Sequence, residues 1–482
     1  MTAAKRGAIA LAMACAGSLA PGCGSSPGPS TAQSVRTCTI APPAPTDWRL
    51  SATGATFRDA LGRVVLLRGV NAGGRSKFAP YVPFDFAPGQ YDAALGAYMD
   101  RAASWGIDVV RVPFTWAALE PTQGQDDPAW LSLYDRLLDA AWARGIYTIL
   151  DFHQDVYSEV YCGDGFPAWT VNSPPAPHHD CPSWSGEYVT DANVQAAFDA
   201  FWAAGSGVQA SYLAAWDVMI ARYKDRPGVL GFEPINEPGW GTANESTFSA
   251  TTLTSFYSTV VAHMTAAAPQ ALVFVDPAGL DGALLSTQLG RPPGSGVVFA
   301  PHFYPLTHDP GAVEGELKKW ADVGASWGAP VFVGEFGLND TGATAVPYIA
   351  ATFGAFDALG LSGAEWEYSV SADVWNSETF GLVAADGTEN PVAAAVLRPF
   401  ARAVAGTDVT QSYDRASSIF SLSYTAAGGV TEVSLPPRAY PSGYRLTLSG
   451  ACADTTSSPG RVLLQPDGDG GAASVSLKIA PR

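Results

Sequence analysis

Two glutamates carry the most telling chemistry in this chain: Glu237 in FEPINEPGWG and Glu335 in VFVGEFG. Each closes a short apolar run of the kind that forms a buried strand, and turn-forming residues follow at once. Two carboxylates at the ends of distant strands suit the cleavage of a glycosidic bond. With the carboxyls about 5–5.5 Å apart, one protonates the leaving oxygen and the other attacks the anomeric carbon, so configuration is retained. The acid must keep its proton near neutrality, and a second carboxylate nearby raises its pKa. Glu237 is assigned as acid/base and Glu335 as nucleophile. Asn236, beside the acid, can bind a sugar 2-hydroxyl. Arg111 in VVRVPF and Tyr304 in APHFYP can hydrogen-bond the nucleophile and keep it ionised. Trp366 can stack on a sugar face. Glu233 reads as a structural acid, and Glu365 and Glu367 as structural or rim acids.

Apolar runs must place these groups. Strand-like segments fall at Val64–Val70, Val109–Val112, Tyr147–Phe152, Val229–Ile235, Ala271–Val275, Gly296–Phe303, Pro330–Gly334 and Ser362–Trp366. Helical stretches alternate with them: Tyr91–Trp105, Leu131–Arg144, Ser211–Tyr223, Thr247–Ala267, Val313–Trp327, Pro347–Leu359 and a last one at Pro391–Val404. Eight strands with intervening helices predict an α/β fold, a (β/α)8 TIM barrel. A doubly wound sheet competes, but no GxGxxG follows any strand. In a barrel, catalytic groups gather at the C-terminal strand ends. Arg111 falls there on the second strand, with His153, Gln154 and Asp155 after the third. Asn236 and Glu237 follow on the fourth, His302 and Tyr304 on the sixth, Glu335 on the seventh and Trp366 on the eighth. Beyond Gly406 the helical pattern stops, and short alternating segments predict a small C-terminal β-sandwich. The expected organisation is a signal peptide over 1–23, a linker over 24–46, the barrel over 47–405 and the sandwich over 406–482.

Composition narrows the classes. The chain has 482 residues, 47% hydrophobic and 15% charged, which is globular, and its net charge of −18 excludes nucleic-acid binding. Lys5 and Arg6 precede an apolar stretch, Gly7–Ala20, too short to span a bilayer. The run Leu19-Ala20-Pro21-Gly22-Cys23 resembles a bacterial lipoprotein signal in which Cys23 would be lipidated. Export is expected, either anchored in this way or by plain secretion. Export permits disulfides. Cys162 and Cys181 bracket one Pro-rich loop and are paired, which leaves Cys38 with Cys452. His178 to Cys181 reads as a polar loop, and no metal or cofactor is expected. GxSxG occurs at 24–28 and 324–328, but neither is a strand-to-helix elbow, which argues against a serine esterase.

RVPF, INEP, APHFYP, GEFG and Trp366 together resemble the signature of glycoside hydrolase family 5. The resemblance implies a retaining, metal-independent enzyme on a (β/α)8 barrel, with Glu237 and Glu335 in the roles above. LDFHQDVYSEVYCGDGFPAWT (Leu150 to Thr170) is similar to the third-strand segment of the endoglycoceramidases. GVNAGGRSKFAP, with Lys77, resembles their loop after the first strand, and DVWNSE (Asp373 to Glu378) their segment after the eighth. Those enzymes cut between an oligosaccharide and ceramide and carry a sandwich after the barrel. By resemblance Lys77 and Asp155 would bind the sugar head group, with His153 beside them. EWEYSV around Trp366 departs from their pattern, which leaves a galactosylceramide or glucosylceramide preference open. Phe78, Tyr81, Phe84 and Phe86, with Trp169, Trp184 and Trp240, could form a ceramide groove or a membrane-facing rim, platforms for a polysaccharide, or loop packing. The expected partner is a glycolipid or oligosaccharide substrate, with possible membrane-surface contact, and the chain is expected to be a monomer. The alternatives are another β-glucoside (glucan, mannan, or a sterol or other lipid glucoside) and a non-catalytic binding protein, against which the paired acids argue.

Overall fold

A computed structural model describes residues 35–44, 47–178, 181–371, 375–467 and 473–482. The signal with Cys23, linker residues 24–34, 45 and 46, His179, Asp180 and Asp373 lie outside these residues. Eight parallel strands build the barrel: β1 (Arg68–Asn71), β2 (Val109–Phe114), β3 (Tyr147–Phe152), β4 (Val229–Glu233), β5 (Leu272–Val275), β6 (Val297–Phe299), β7 (Phe332–Phe336) and β8 (Ser362–Glu365). They pair in the order β7-β8-β1-β2-β3-β4-β5-β6. Bridges from Phe299 to Val331 and from Phe303 to Phe336 close the ring.

The lower barrel is filled with apolar side chains, among them Leu67, Val109, Ile149, Leu230, Phe274, Val298 and Phe332. Further up, the inward positions turn polar: Asn71, Arg111, Asp151, Glu233 and Glu335 are all buried. Strand periodicity alone would not aim Glu335 inward. Val333 and Phe336 both belong to the outer core against the helices, although three residues apart. A register shift between them, the mark of a bulge, reconciles the two and leaves Glu335 facing the interior.

Helices follow their end signals. Asp127 caps Pro128–Trp142, Pro128 opens it, and Gly106 in the left-handed region ends Tyr91–Trp105. The segment expected as one helix over Thr247–Ala267 contains a wide π-type turn at Ser249–Leu253. Two expectations are corrected. Val64–Val70 is two strands: Val64–Val65 joins the sandwich and β1 begins at Arg68. The last helix over Pro391–Val404 shrinks to Ala393–Val396, and Phe400–Val404 is instead a strand antiparallel to Thr431–Ser434. Pro399 is the physical reason, since it bars the helical conformation at Arg398.

The sandwich packs a seven-stranded sheet on a four-stranded one, with Val404, Phe420, Val433, Leu464, Val475 and Ile479 between them. The larger sheet recruits three strands from before the barrel, Ser51–Thr53, Thr56–Arg58 and Val64–Val65. Cys38 is bonded to Cys452. Ser434 and Arg402 reach the carbonyls of Gly106 and Gly145, next to the starts of β2 and β3. The sandwich therefore caps the N-terminal barrel end and leaves the C-terminal end open. No helix among the described residues is long and apolar enough to cross a membrane.

Candidate active site

Arg111 is the hub of the C-terminal end. Its guanidinium grips Glu233 in two-pronged fashion at 2.8 Å each. It also donates to Asn71 (3.0 Å), Asn236 (2.8 Å) and Glu335 (2.7 Å), and pairs with Asp151 at 3.0 Å. Burial works against its charge, but Asp151, Glu233 and Glu335 outweigh burial and hold it firmly protonated. Glu335 thus has a charged donor on one oxygen and the Tyr304 hydroxyl on the other at 3.1 Å. Its side chain is 7% exposed.

Glu237 sits four residues beyond the end of β4, in a turn where its own φ is +39°. That left-handed conformation is uncommon for a glutamate and needs support from its surroundings. Asp276, at the end of β5, accepts the Glu237 N–H at 2.8 Å. The Gln154 amide donates to the carbonyls of Asn236 and Glu237. Gly279 leaves room opposite, because a Cβ there would lie 3.2 Å from the Glu237 Cβ. The Glu237 carboxyl, 16% exposed, meets His302 Nδ1 at 2.8 Å. Carboxylate oxygens of Glu237 and Glu335 and a ring nitrogen of His302 lie within 4.8 Å of one another. Such closeness matches double displacement and leaves no room for the water an inverting pair needs, with carboxyls about 6.5–9.5 Å apart.

Burial, then the charge of Asp155, pushes the Glu237 carboxyl up to about 8. Burial also lowers the His302 imidazole to about 4, so it is neutral above that pH. A stability signature follows. Between the ordinary value of 4.5 and about 8, folded Glu237 keeps a proton that the unfolded chain has released. Stability therefore falls as pH rises through that window. A Glu237→Gln variant lacks this loss, so its melting temperature should gain on the parent's as pH goes from 5 to 8. Thermal melts at the two pH values check this, and a constant margin would refute it.

A cavity of about 500 Å³ opens above the pair. Lys77, His153, Asp155, Trp184, Trp366 and Glu378 line its polar side. Lys77 Nζ donates to Asp155 at 2.6 Å, approaches Glu378 at 3.5 Å and lies 3.8 Å from the centre of the Trp375 ring. Burial disfavours the Lys77 charge, but Asp155 and Glu378 outweigh it and raise its pKa. Burial likewise works against the Asp155 carboxylate, which Lys77 and His153 hold at about 2. The Trp366 ring stacks on His153 with 7° between the planes, and Gly73 makes space for it. Gly279, Ala283, Tyr304, His308, Leu338, Asn339 and Phe380 line the other side, which carries no charged carboxylate or ammonium of its own and includes the apolar Ala283, Leu338 and Phe380.

The structure thus brings together Lys77, Arg111, His153, Asp155, Asn236, Glu237, His302, Tyr304, Glu335 and Trp366. Arg111, Asn236 and His302 lie beneath the cavity rather than on its wall. Asn236 accepts from Arg111 and donates to the Gln154 carbonyl at 3.0 Å, which leaves one amide hydrogen for a ligand. Cys162 is bonded to Cys181, closing the loop after β3. His178 lies beside that pair, whose sulfurs are already committed to each other. The aromatic loop departs from a groove. Phe84 packs on Tyr91 and Tyr98, Phe86 on Tyr91, and the Arg75 guanidinium covers Phe78. Trp169 packs on Trp116, and of the expected aromatics only Trp184 reaches the cavity wall. Sequence reading missed Asn71, Asp151 and Asp276. Asp276 had a legible signal: it closes LVFVD, one of two barrel strands left without a polar end residue, the other being the first, which ends at Asn71.

Residues 76–372 match the family model "Cellulase (glycosyl hydrolase family 5)", and 398–479 match the "Glycoside hydrolase family 5 C-terminal domain". The chain is 27% identical over 459 residues to endoglycoceramidase I of Rhodococcus hoagii, covering 89% of this chain and 88% of that one. A solved lactosyl-enzyme intermediate of endo-glycoceramidase II from Rhodococcus sp. superposes with a TM-score of 0.72 at 25% identity, covering 88% and 99% of the two chains. Sterylglucosidase 1 of Cryptococcus neoformans shares the fold, with a TM-score of 0.76 at 15% identity over 91% and 98%. With most of the barrel inside the family model and the acid pair held by Arg111, Tyr304 and His302, this chain belongs to glycoside hydrolase family 5.

Proposed function

We propose that this glycosidase is a retaining endo-β-glycosidase that hydrolyses the bond between glycan and ceramide in glycosphingolipids. The observation that carries the proposal is the lining around the acid pair, whose oxygens lie within 4.8 Å: the charged cluster of Lys77, Asp155 and Glu378 on one side, and Ala283, Leu338 and Phe380 among the residues of the other. The glycan rests against Lys77, Asp155, Glu378 and Trp366, where charged groups hydrogen-bond hydroxyls and an indole meets a sugar face. The lipid aglycone leaves past Gly279, Ala283 and Leu338. The similarity to an endoglycoceramidase across nearly the whole chain supports this reading.

In the first step Glu335 attacks the anomeric carbon as the glycosidic bond breaks, and Glu237 gives its proton to the departing ceramide oxygen. In the second, Glu237 takes a proton from water, which attacks the same carbon and releases Glu335. Arg111 and Tyr304 hold the nucleophile as an anion in line for attack. Neutral His302 orients the Glu237 carboxyl without competing for its charge. Removing the Tyr304 hydroxyl should lower kcat/KM about tenfold, close to 1.4 kcal/mol, one hydrogen bond to a charged group. A Tyr304→Phe variant assayed on an aryl lactoside checks the size.

Incubation with fluorescent lactosylceramide, with a sterol glucoside and with glucan and mannan oligomers tests the substrate. Release of intact lactose and intact ceramide is expected. Cleavage confined to the sterol glucoside, or to the oligomers, would overturn the assignment. Export, either with Cys23 as the lipidated first residue or by plain secretion after the leader is removed, is part of the proposal and is read from the mass of the mature N-terminus.

A further inference from the structure

The large hydrophobic side chains left exposed among the described residues are Leu61, Val189, Leu280, Leu284 and Leu306. Leu61 lies in a turn between strands of the sandwich sheet, at the closed end. The other four belong to loops at the open end of the barrel. Leu280 (38% exposed) and Leu284 (51%) are one helical turn apart on the short helix Gly279–Leu284 after β5, so they share a face. Leu306 (79%) follows β6. The two loops touch, since Tyr304 N–H donates to the Gly282 carbonyl at 3.3 Å. They also carry Gly279, Ala283, Tyr304 and His308 of the cavity wall. Val189 (58%) stands on the loop after β3, near the cavity-lining Trp184.

We propose that the Leu280, Leu284 and Leu306 rim docks on the surface of a neutral, zwitterionic lipid layer, with the cavity mouth held against it. The rim continues the wall assigned above to the ceramide, and the inference rests on that reading. A two-chain lipid does not leave its layer freely, so a site that cuts at its head group works best when seated on the layer. Charge selects the kind of layer. Neither 279–290 nor 301–308 contains Lys or Arg; Arg291 and Asp309 follow them directly and offset each other, and the whole chain carries −18. Anionic headgroups would be repelled, and attachment must come from apolar contact. Phe84 and Phe86 pack on Tyr91 and Tyr98 of the first helix and do not join this rim.

The test is sedimentation with phosphatidylcholine vesicles free of glycolipid, using the full chain and Leu280→Ser/Leu284→Ser/Leu306→Ser. Parent binding is expected, with a loss of roughly 30-fold or more in the triple variant as three leucines leave the lipid interface. Turnover of lactosylceramide embedded in the same vesicles should fall in parallel, while kcat/KM on a soluble aryl lactoside stays unchanged. If the triple variant is inactive on the soluble substrate, Leu306→Ser alone provides the comparison, since that side chain is almost fully exposed. Equal vesicle binding by parent and variant would overturn the inference, as would binding that requires added phosphatidylglycerol. Failure of the glycolipid reading looks different: vesicles bind, but detergent-dispersed lactosylceramide is not cut.

Discussion

Glu335→Gln is expected to lower kcat/KM by roughly 10⁴-fold or more, about 5.4 kcal/mol of transition-state stabilisation, on every glycoside the enzyme accepts. The amide keeps the shape of the side chain and cannot form the glycosyl ester. The loss will not reflect unfolding, because Arg111 keeps Glu233 and Asp151 as charged partners after Glu335 is neutralised. A Glu335→Gly variant given azide should regain turnover and release a glycosyl azide of inverted configuration, since the anion then occupies the space of the carboxylate. Kinetics with product analysis by NMR read both outcomes. Undiminished turnover by Glu335→Gln would remove the nucleophile from the account.

Glu237→Gln carries the second large effect, and its signature depends on the leaving group. General acid catalysis contributes roughly 10²–10⁴-fold. A loss of that size is expected on lactosylceramide, whose alkoxide leaves poorly without a proton. On a dinitrophenyl lactoside, which needs no protonation, the first step should be nearly untouched, and the glycosyl-enzyme should accumulate and lower KM. The pH profile separates the roles further. Because the Glu237 carboxyl is pushed up to about 8, parent activity on lactosylceramide should fall as pH rises through that value. The variant should lose that alkaline limb. A profile identical to the parent's would place the essential proton elsewhere.

Much of this site was legible because barrel chemistry gathers at strand ends, and apolar runs mark where strands end. Arg111, Glu335 and the Asn236-Glu237 pair could be picked from their positions alone. The bulge that turns Glu335 inward could not, because Val333 and Phe336 read equally well in a regular strand. Asp151 looked like one more residue of an apolar run, yet it pairs with both Arg111 and His153. Its role depends on neighbours from other strands, which no local pattern reveals. The aromatic loop stayed open between groove, platform and packing for the related reason that composition does not say which way a ring faces: Phe84 is buried against Tyr98. The sandwich boundary blurred because strands from before the barrel complete its larger sheet.

Mass spectrometry after exposure to a 2-deoxy-2-fluoro-β-lactosyl fluoride tests the central claim most directly. The fluorine slows both steps, and the reactive leaving group lets the first run ahead, so the covalent intermediate persists. The account predicts one added 2-fluorolactosyl mass per chain, located on the peptide VFVGEFG at Glu335. Attachment at Glu237, or steady turnover of lactosides with no adduct on any carboxylate, would contradict it.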